Sequence, residues 1–363
     1  MRITHLELHD FRSCARWSLH PDEALTILSG PNAVGKTNVI EAIQIVTTGT
    51  SFRRPEWADV VRWDERHASI TMSITGEGTN TDVEVMINAE GARSWRVGGV
   101  VKKRASEATR FVPVVTFTPD DLMMVKGPAE QRRTAADDLG AGLSATFGAL
   151  RRDYSKVVRQ RNALLREEAQ QTNLDPWDDQ LVILGASLHM HRRRIVERVE
   201  KAASVIYGRL SGGEDLTFSL IDNGGVLRDV GESDKQVVEE VLRSEITRRR
   251  PEERSRKISL VGPHRDDIVF LVNGKEARVY ASQGQQRTIA LAWKWAELTV
   301  VGEVLHTTPV LLLDDVMSEL DESRRTALTD LMQRGIQTFV TTTNTSYFDS
   351  DLLEQANIVM MGR

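Results

Sequence analysis

Residues 30–37 carry the clearest chemical signal in this sequence. They read Gly-Pro-Asn-Ala-Val-Gly-Lys-Thr and match the phosphate-binding loop pattern G-x-x-x-x-G-K-[ST] at every fixed position. The glycines let such a backbone curl so that N–H groups point at phosphate oxygens, while the lysine reaches the β and γ phosphates and the threonine hydroxyl ligates Mg²⁺. The predicted nucleotide-binding residues here are Gly30, Pro31, Asn32, Ala33, Val34, Gly35, Lys36 and Thr37, with Lys36 also catalytic and Thr37 also a metal ligand.

Two adjacent carboxylates end a short apolar run near the C-terminus. Residues 309–313 read Pro-Val-Leu-Leu-Leu, and Asp314 and Asp315 follow. The pattern is typical of a buried parallel strand, whose carboxyl end carries ligands. We expect Asp314 to hold Mg²⁺, directly or through water, and Asp315 to act catalytically by polarising the attacking water. Such a strand is also frequent in doubly wound folds without this role, so the assignment depends on its pairing with the phosphate loop.

A second candidate anion site precedes that strand. Ser282, Gly284 and Gln285 stand at the start of a segment whose apolar residues indicate a helix. Free N–H groups at a helix start, next to a small side chain, let a phosphate approach closely. The alternative is a plain serine N-cap. Together with the phosphate loop and the paired aspartates, the segment is expected to bind nucleotide.

The elements around these motifs predict an α/β fold interrupted by helices. Residues 24–28 alternate in the manner of a strand, residues 39–46 repeat with helical spacing, and the runs 68–74 and 83–87 predict a sheet. Residues 268–272 and 277–280, joined by Asn-Gly, predict a hairpin. An apolar stripe predicts one long helix over 177–210, paired with a helix over 150–170, and Asn-Leu-Asp-Pro at 173–176 is expected to separate the two.

The predicted organisation is a nucleotide-binding domain with an insertion. Its N-terminal half spans residues 1–127, a helical arm spans 128–214, and the C-terminal half with the remaining motifs spans 215–363. A net charge of −5 means that a nucleic-acid surface must come from local clustering of basic residues. The single cysteine, Cys14, excludes an internal disulfide and a thiolate metal site. Apolar runs are too short to span a membrane and the N-terminus reads as a strand, so we expect a cytoplasmic protein.

The order of these motifs resembles the head of ABC-type ATPases, in which the Ser-x-Gly segment of one subunit covers the nucleotide bound by another subunit. Further segments resemble the RecF family of SMC-related ATPases. They are residues 11–13, 38, 41–43, 49–53, 118–122, 125–127, 132–133, 160–165, 262–267, 281–287 and 311–321. The resemblance implies a P-loop NTPase of the ABC-head type with an inserted helical arm lobe. It also implies that Arg12, Ser13 and Asn38 lie near the nucleotide.

The same resemblance implies a function in recombinational repair and replication-fork maintenance. It implies ATP and Mg²⁺ as cofactors, slow ATP hydrolysis and a homodimer formed on ATP binding. It further implies sequence-independent binding of DNA at single-strand/double-strand junctions or gaps, and recombination mediator proteins as partners in loading the strand-exchange protein. The alternative is a divergent ATP-switch scaffold or defence protein with little DNA-stimulated turnover. A membrane-transporter subunit is disfavoured, since the arm has no use there.

Basic clusters are candidates for the DNA contact. They lie at Arg151, Arg152, Arg159 and Arg161, at Arg192, Arg193 and Arg194, and at Arg248, Arg249, Arg250, Arg254, Arg256 and Lys257. Arginines on long helices also form solvated faces with nearby glutamates, and the sequence leaves both interpretations open. The role of His264 is left unassigned.

Overall fold

A computed structural model describes residues 1–76, 78–109, 111–222 and 234–362. The chain forms two compact units. The first unit combines Met1–Leu122 with Val301–Arg363, and the second is Met123–Val300. The predicted division at residues 127 and 214 stays a prediction, because compactness alone does not define where an insertion begins and ends.

The secondary structure of the described residues alternates between strands and helices. The strands are β1 (Arg2–Phe11), β2 (Cys14–Leu19), β3 (Leu25–Ser29), β4 (His67–Gly76), β5 (Thr79–Asn88), β6 (Arg93–Val97), β7 (Val100–Lys102), β8 (Val114–Phe117), β9 (Leu216–Ile221), β10 (Asp267–Val272), β11 (Lys275–Glu276), β12 (Val310–Asp314), β13 (Thr338–Thr342) and β14 (Asn357–Met360). The helices are α1 (Lys36–Thr48), α2 (Ala129–Leu143), α3 (Ala145–Arg166), α4 (Gln171–Leu210), α5 (Lys235–Arg256), α6 (Ala277–Tyr280), α7 (Gln283–Leu305), α8 (Glu322–Met332) and α9 (Ser350–Gln355).

A parallel sheet in the first unit positions the predicted nucleotide motifs. Its strand order among the described residues is β14-β3-β13-β12-β8. β3, β12 and β13 are buried along their whole length, as parallel strands covered on both faces are. Thr341 in β13 is in register with Leu28 on one side and Asp314 on the other. The carboxyl ends of β3 and β12 therefore lie at one edge, with β13 between them.

An antiparallel sheet with the order β2-β1-β4-β5-β6-β7 completes the described strands of the first unit. β4 and β5 contain the two runs that alternate with period two, and their alternate residues are buried. These side chains share a core with the apolar face of α1. The predicted sheet is confirmed, and its core fixes α1 behind the phosphate loop.

The second unit contains the predicted antiparallel helical hairpin, formed by α3 and α4. Arg161 contacts Asp178 near the connection, while Phe147, far from it, contacts His191. The predicted break at residues 173–176 is wrong, because α4 begins at Gln171 and contains Pro176. A proline in the first two turns removes few helical hydrogen bonds, so the helix tolerates it. The chain instead turns at residues 167–170, where Glu168 has a φ of 56°.

The predicted hairpin over residues 268–280 is correct only in its first half. β10 pairs with β9 and turns through Asn273 and Gly274, both with positive φ, as a two-residue hairpin turn requires. The returning strand β11 has only two residues, and residues 277–280 form the short helix α6 instead of a strand. No helix in the described part of the chain is long and apolar enough to cross a membrane.

Candidate functional site

The phosphate loop, residues 30–37, connects β3 to α1 as predicted. Gly35 has a φ of 101° and Ala33 a φ of 66°, so the loop curls through the left-handed region. At Gly30 a Cβ would lie 2.3 Å from the carbonyl oxygen of Met361, so only glycine fits there. The loop therefore exposes backbone N–H groups at the start of α1, where the helix dipole favours an anion.

Lys36 lies against its own loop. Its Nζ donates hydrogen bonds to the carbonyl oxygens of Gly30 and Pro31, both at 2.7 Å. Burial lowers the pKa of Lys36, while Asp315 and Asp314 oppose that change. A partly desolvated cation flanked by two carboxylates is suited to meet the negative charge of a phosphate.

Asp314 joins the two motifs that the sequence predicted to meet. Its Oδ1 accepts a hydrogen bond from the Thr37 hydroxyl at 2.8 Å and another from the Thr341 hydroxyl at 2.8 Å. Residues 37 and 314 lie far apart in the chain, and the pairing of β13 with both β3 and β12 brings them together. A threonine hydroxyl beside a carboxylate supplies the oxygen ligands that Mg²⁺ prefers.

Asp315 is held in a strained conformation at the end of β12. Its φ is 51°, and its backbone N–H donates to the Thr341 hydroxyl at 2.8 Å. Its Oδ1 is buried and has no hydrogen-bond partner among the described residues. Burial, and secondly the charge of Asp314, raise the pKa of Asp315. Strain and an unsatisfied carboxylate are costly, and both are features of functional sites.

Glu41 organises the residues beside the phosphate loop, although no sequence motif marked it as a site residue. Its side chain is fully buried on α1 and accepts two hydrogen bonds from the Arg12 guanidinium, at 2.6 and 3.0 Å. Ser51 donates to it at 2.6 Å and Arg53 at 3.1 Å. In the sequence, the position of this carboxylate between Ile40 and Ala42 on an apolar helix face could have indicated a buried, paired charge.

Ser13 and Asn38 lie in the same cluster. The Asn38 amide donates to the Ser13 hydroxyl at 3.2 Å and accepts from Arg53 at 2.9 Å. Arg12 has a φ of 56°, so the turn that carries Arg12 and Ser13 is itself constrained. The structure thus places Arg12, Ser13 and Asn38 beside the phosphate loop, and their proximity to a bound nucleotide stays a prediction.

Ser282 and Gln285 cap the start of α7, which lies in the second unit up to Val300. The Ser282 hydroxyl accepts from the Gln285 N–H at 3.2 Å, and the Gln285 side chain accepts from the Ser282 N–H at 2.8 Å. This is a reciprocal capping arrangement. The Gln285 amide also donates to Glu214 at 2.8 Å, and Glu214 accepts from the Tyr207 hydroxyl at 2.8 Å. Ser282 is therefore an N-cap, and Glu214 links the capping side chain to the end of α4.

Two arginines predicted as DNA contacts are buried instead. Arg192 donates to both oxygens of Asp137, at 2.8 and 2.9 Å, and to Asp266 at 3.2 Å. Arg161 is fully buried between Asp178 and Glu253. A buried guanidinium that already faces two carboxylates is not available to a DNA phosphate. The prediction is wrong for these two residues, which stabilise the helical unit.

Some residues of the remaining basic clusters have ion pairs with acidic side chains, and others are exposed without one among the described residues. Five show the glutamate-paired face that was the alternative interpretation: Arg193 with Glu197, Arg248 with Glu245, Arg249 and Arg256 with Glu252, and Lys257 with Glu168. Arg151 and Arg250 pair with Asp138 and Asp178. Arg152, Arg159 and Arg194 are exposed. The sequence could not separate these cases, because ion pairing depends on which helices pack together.

His264 is a structural residue of the second unit. Its ring bonds to the Tyr154 hydroxyl at 2.7 Å through Nδ1 and to the Ser259 carbonyl at 3.1 Å through Nε2. The carbonyl can only accept, so Nε2 carries the proton and Nδ1 accepts from the tyrosine. Burial lowers the pKa of His264 to about 4.

No group of three or more His, Cys, Asp or Glu side chains that could hold a metal occurs in the described residues.

Comparison with known proteins agrees with this geometry. The profile of the RecF/RecN/SMC N terminal domain matches residues 2–361. The DNA replication and repair protein RecF of a Synechococcus species is 35% identical over 366 residues, covering 99% of this chain and 96% of the relative. The structure is similar to two solved structures of the recombination mediator protein RecF in the RecFOR pathway, described with ATPrS and with ATP. Both are 29% identical and cover 96% of this chain, with TM-scores of 0.89 and 0.87 and with 94% and 93% of the other chain covered.

The fold is that of an ABC-type ATPase head of the RecF/RecN/SMC class. Within that class, the chain belongs to the RecF family.

Proposed function

We propose that this protein is an ATP-dependent DNA-binding protein of recombinational repair, which binds and slowly hydrolyses ATP as an ATP-clamped homodimer. The observation that carries the proposal is the contact of Asp314 with Thr37, which joins the phosphate loop to the carboxylate strand at one sheet edge. Relatives named as DNA replication and repair proteins, and as a recombination mediator in complex with ATP, support the DNA role.

The residues present fit ATP with Mg²⁺. The curled loop offers N–H groups to the phosphates, Lys36 offers its ammonium, and Thr37 and Asp314 offer two oxygen ligands. Mg²⁺ usually takes one or two protein ligands and completes its shell with phosphate oxygens and water, so this sparse set suffices. When bound, Mg²⁺ supplies positive charge to the phosphates.

Asp315 and Lys36 would carry the hydrolysis step. The Asp315 carboxylate, with one buried oxygen unsatisfied, would accept a hydrogen bond from the attacking water and orient it. Its raised pKa brings it closer to the range of an effective base. Lys36 would release the carbonyl oxygens of Gly30 and Pro31 and turn to the phosphates, where charge develops during transfer.

Dimerisation would complete the site. In this proposal the start of α7 in a second copy, with Ser282, Gly284 and Gln285, covers the triphosphate held by the phosphate loop. The reciprocal cap uses the N–H groups of Ser282 and Gln285 and fixes the start of α7, so the γ-phosphate would meet the N–H groups of Gln283 and Gly284 between them. ATP then favours the dimer and its hydrolysis releases it, which is a ligand-driven shift of population. Recombination mediator proteins and gapped DNA are the proposed partners of this dimer.

Sedimentation of the purified protein, with and without ATP and gapped DNA, tests this function. We expect an ATP-dependent dimer and hydrolysis that gapped DNA stimulates. Lys36→Ala should abolish both, because it removes the cation that meets the phosphates. A Lys36→Ala protein that still dimerises with ATP would refute the nucleotide assignment. A wild-type dimer whose hydrolysis and affinity ignore DNA would instead support an ATP-switch scaffold.

A further inference from the structure

The exposed face of the C-terminal half of α4 is predominantly basic. From residue 191 to residue 209 the exposed positions of α4 are His191, Arg194, Arg198, Lys201, Val205 and Arg209, and no acidic residue is among them. Successive steps of about 100° place residues 194, 198, 201, 205 and 209 within an arc of about 80°. With a rise of about 1.5 Å per residue, the row extends for about 22 Å. We call Arg194, Arg198, Lys201 and Arg209 the basic rail.

The charges of the basic rail are not neutralised within the described structure. None of its four side chains has an ion pair or hydrogen bond to another described residue, whereas Arg192 and Arg193 on the same helix are both paired. The acids on this stretch of α4 are Glu197, which bonds to Arg193 at 2.9 Å, and Glu200, a partly buried residue that bonds to Ser204. Burial raises the pKa of Glu200 despite the charge of Lys201. The rail therefore presents four cations to solvent.

An exposed basic row on α3 differs from the basic rail, because one of its side chains has an ion pair. Arg152, Lys156 and Arg159 have the same helical spacing and are exposed, but the exposed Asp153 beside that row pairs with Lys156 at 3.3 Å. A row with its own acid attracts a polyanion less strongly than a row without one. The two helices thus provide a matched comparison in the same unit.

We propose that the basic rail of α4 binds the phosphate backbone of duplex DNA. Duplex DNA carries a charge about every 1.7 Å, so a straight row of about 22 Å meets several phosphates at once. The exposed positions of this face carry no Trp, Tyr or Phe, and the ring of His191 already packs edge-on against Phe147, which favours a duplex over a single strand. The inference rests on the proposed DNA function. It assigns the contact with DNA phosphates to exposed side chains of α4 instead of the buried Arg192.

Two charge-matched variants of the full-length protein test the rail. The first replaces Arg194, Arg198 and Lys201 with Gln, and the second replaces Arg152, Lys156 and Arg159 with Gln. Both change the net charge equally and keep good helix formers. Fluorescence anisotropy with a labelled duplex, with ATP and over a range of salt, gives affinity and salt slope. Sedimentation with ATP alone gives dimerisation.

The first variant should lose on the order of tenfold or more in duplex affinity, and its salt slope should fall by about 2.7, since each phosphate contact contributes about 0.9. Its ATP-dependent dimerisation should equal that of wild type, and the second variant should bind duplex nearly as wild type does. The proposal is overturned if the first variant keeps the duplex affinity and salt slope of wild type, or if the second variant loses more duplex affinity than the first. Loss of affinity for single-stranded DNA alone also overturns the duplex assignment. Failure of wild type to dimerise with ATP is a separate result, which refutes the proposed function.

Discussion

Replacing Glu41 with Gln probes the cluster that supports the phosphate loop. The Glu41 carboxylate is fully buried and accepts four hydrogen bonds, two of them from the Arg12 guanidinium. Gln keeps one accepting oxygen but turns an NH₂ group toward arginine and serine donors. Breaking a buried ion pair from one side costs about 3–5 kcal/mol. Because Arg53 is 37% exposed and can be solvated, we expect the lower end, about 3 kcal/mol.

Urea denaturation followed by circular dichroism measures this loss, and the melting temperature should fall by about 6–12 °C. The control is Glu84→Gln on β5, where the carboxylate pairs with the half-exposed Arg96 at 3.2 Å. Exposed pairs contribute at most about 1 kcal/mol, so the control should change little. At temperatures where Glu41→Gln is folded, its ATP affinity should also fall, since Arg12 loses its anchor. A Glu41→Gln protein as stable as the control, with unchanged ATP binding, would refute this reasoning.

Three further predictions follow from single contacts. Asp315→Asn should permit ATP-dependent dimers and lower turnover by about 100-fold or more. Because the pKa of Asp315 is raised, this carboxylate is protonated at a higher pH than an ordinary aspartate, so wild-type turnover should already decline above the ordinary aspartate pKa as the pH falls. Stopped-flow measurement of phosphate release tests both effects. Glu214→Ala should weaken ATP-dependent dimerisation about tenfold, because the Gln285 side chain loses a charged hydrogen-bond acceptor. Nucleotide binding by the monomer should be unchanged, and Glu214→Gln should weaken dimerisation by an intermediate amount. Arg192→Ala should cost about 3–5 kcal/mol of stability, whereas Arg194→Ala should stay within about 0.5 kcal/mol in the same urea titration.

The parts of this protein that the sequence predicts best are those set by local pattern. The phosphate loop needs two glycines, a lysine and a threonine at fixed spacing, and the structure gives Gly35 the positive φ that the pattern requires. The apolar run before Asp314 similarly predicts a buried parallel strand. The meeting of Thr37 with Asp314 could be expected too, because carboxyl ends of parallel strands share one edge.

Features that depend on packing between distant segments were beyond the sequence. Arg192 and Arg194 are two residues apart and of one type, yet rotation by about 200° puts one in the core and the other in solvent. The Tyr207–Glu214–Gln285 contacts join three segments that no local pattern connects. At Pro176 the local rule predicted a break, and its position in the first turns of α4 allowed the helix to include it.

In the proposed function, ATP holds two copies of this chain together. Sedimentation equilibrium of the Asp315→Asn protein with saturating ATP and Mg²⁺ tests it most directly, because blocked hydrolysis keeps the triphosphate in place. We expect a species of twice the 40.7 kDa chain mass that returns to the single chain mass with ADP. A protein that stays at 40.7 kDa with ATP, while binding the nucleotide, would contradict it.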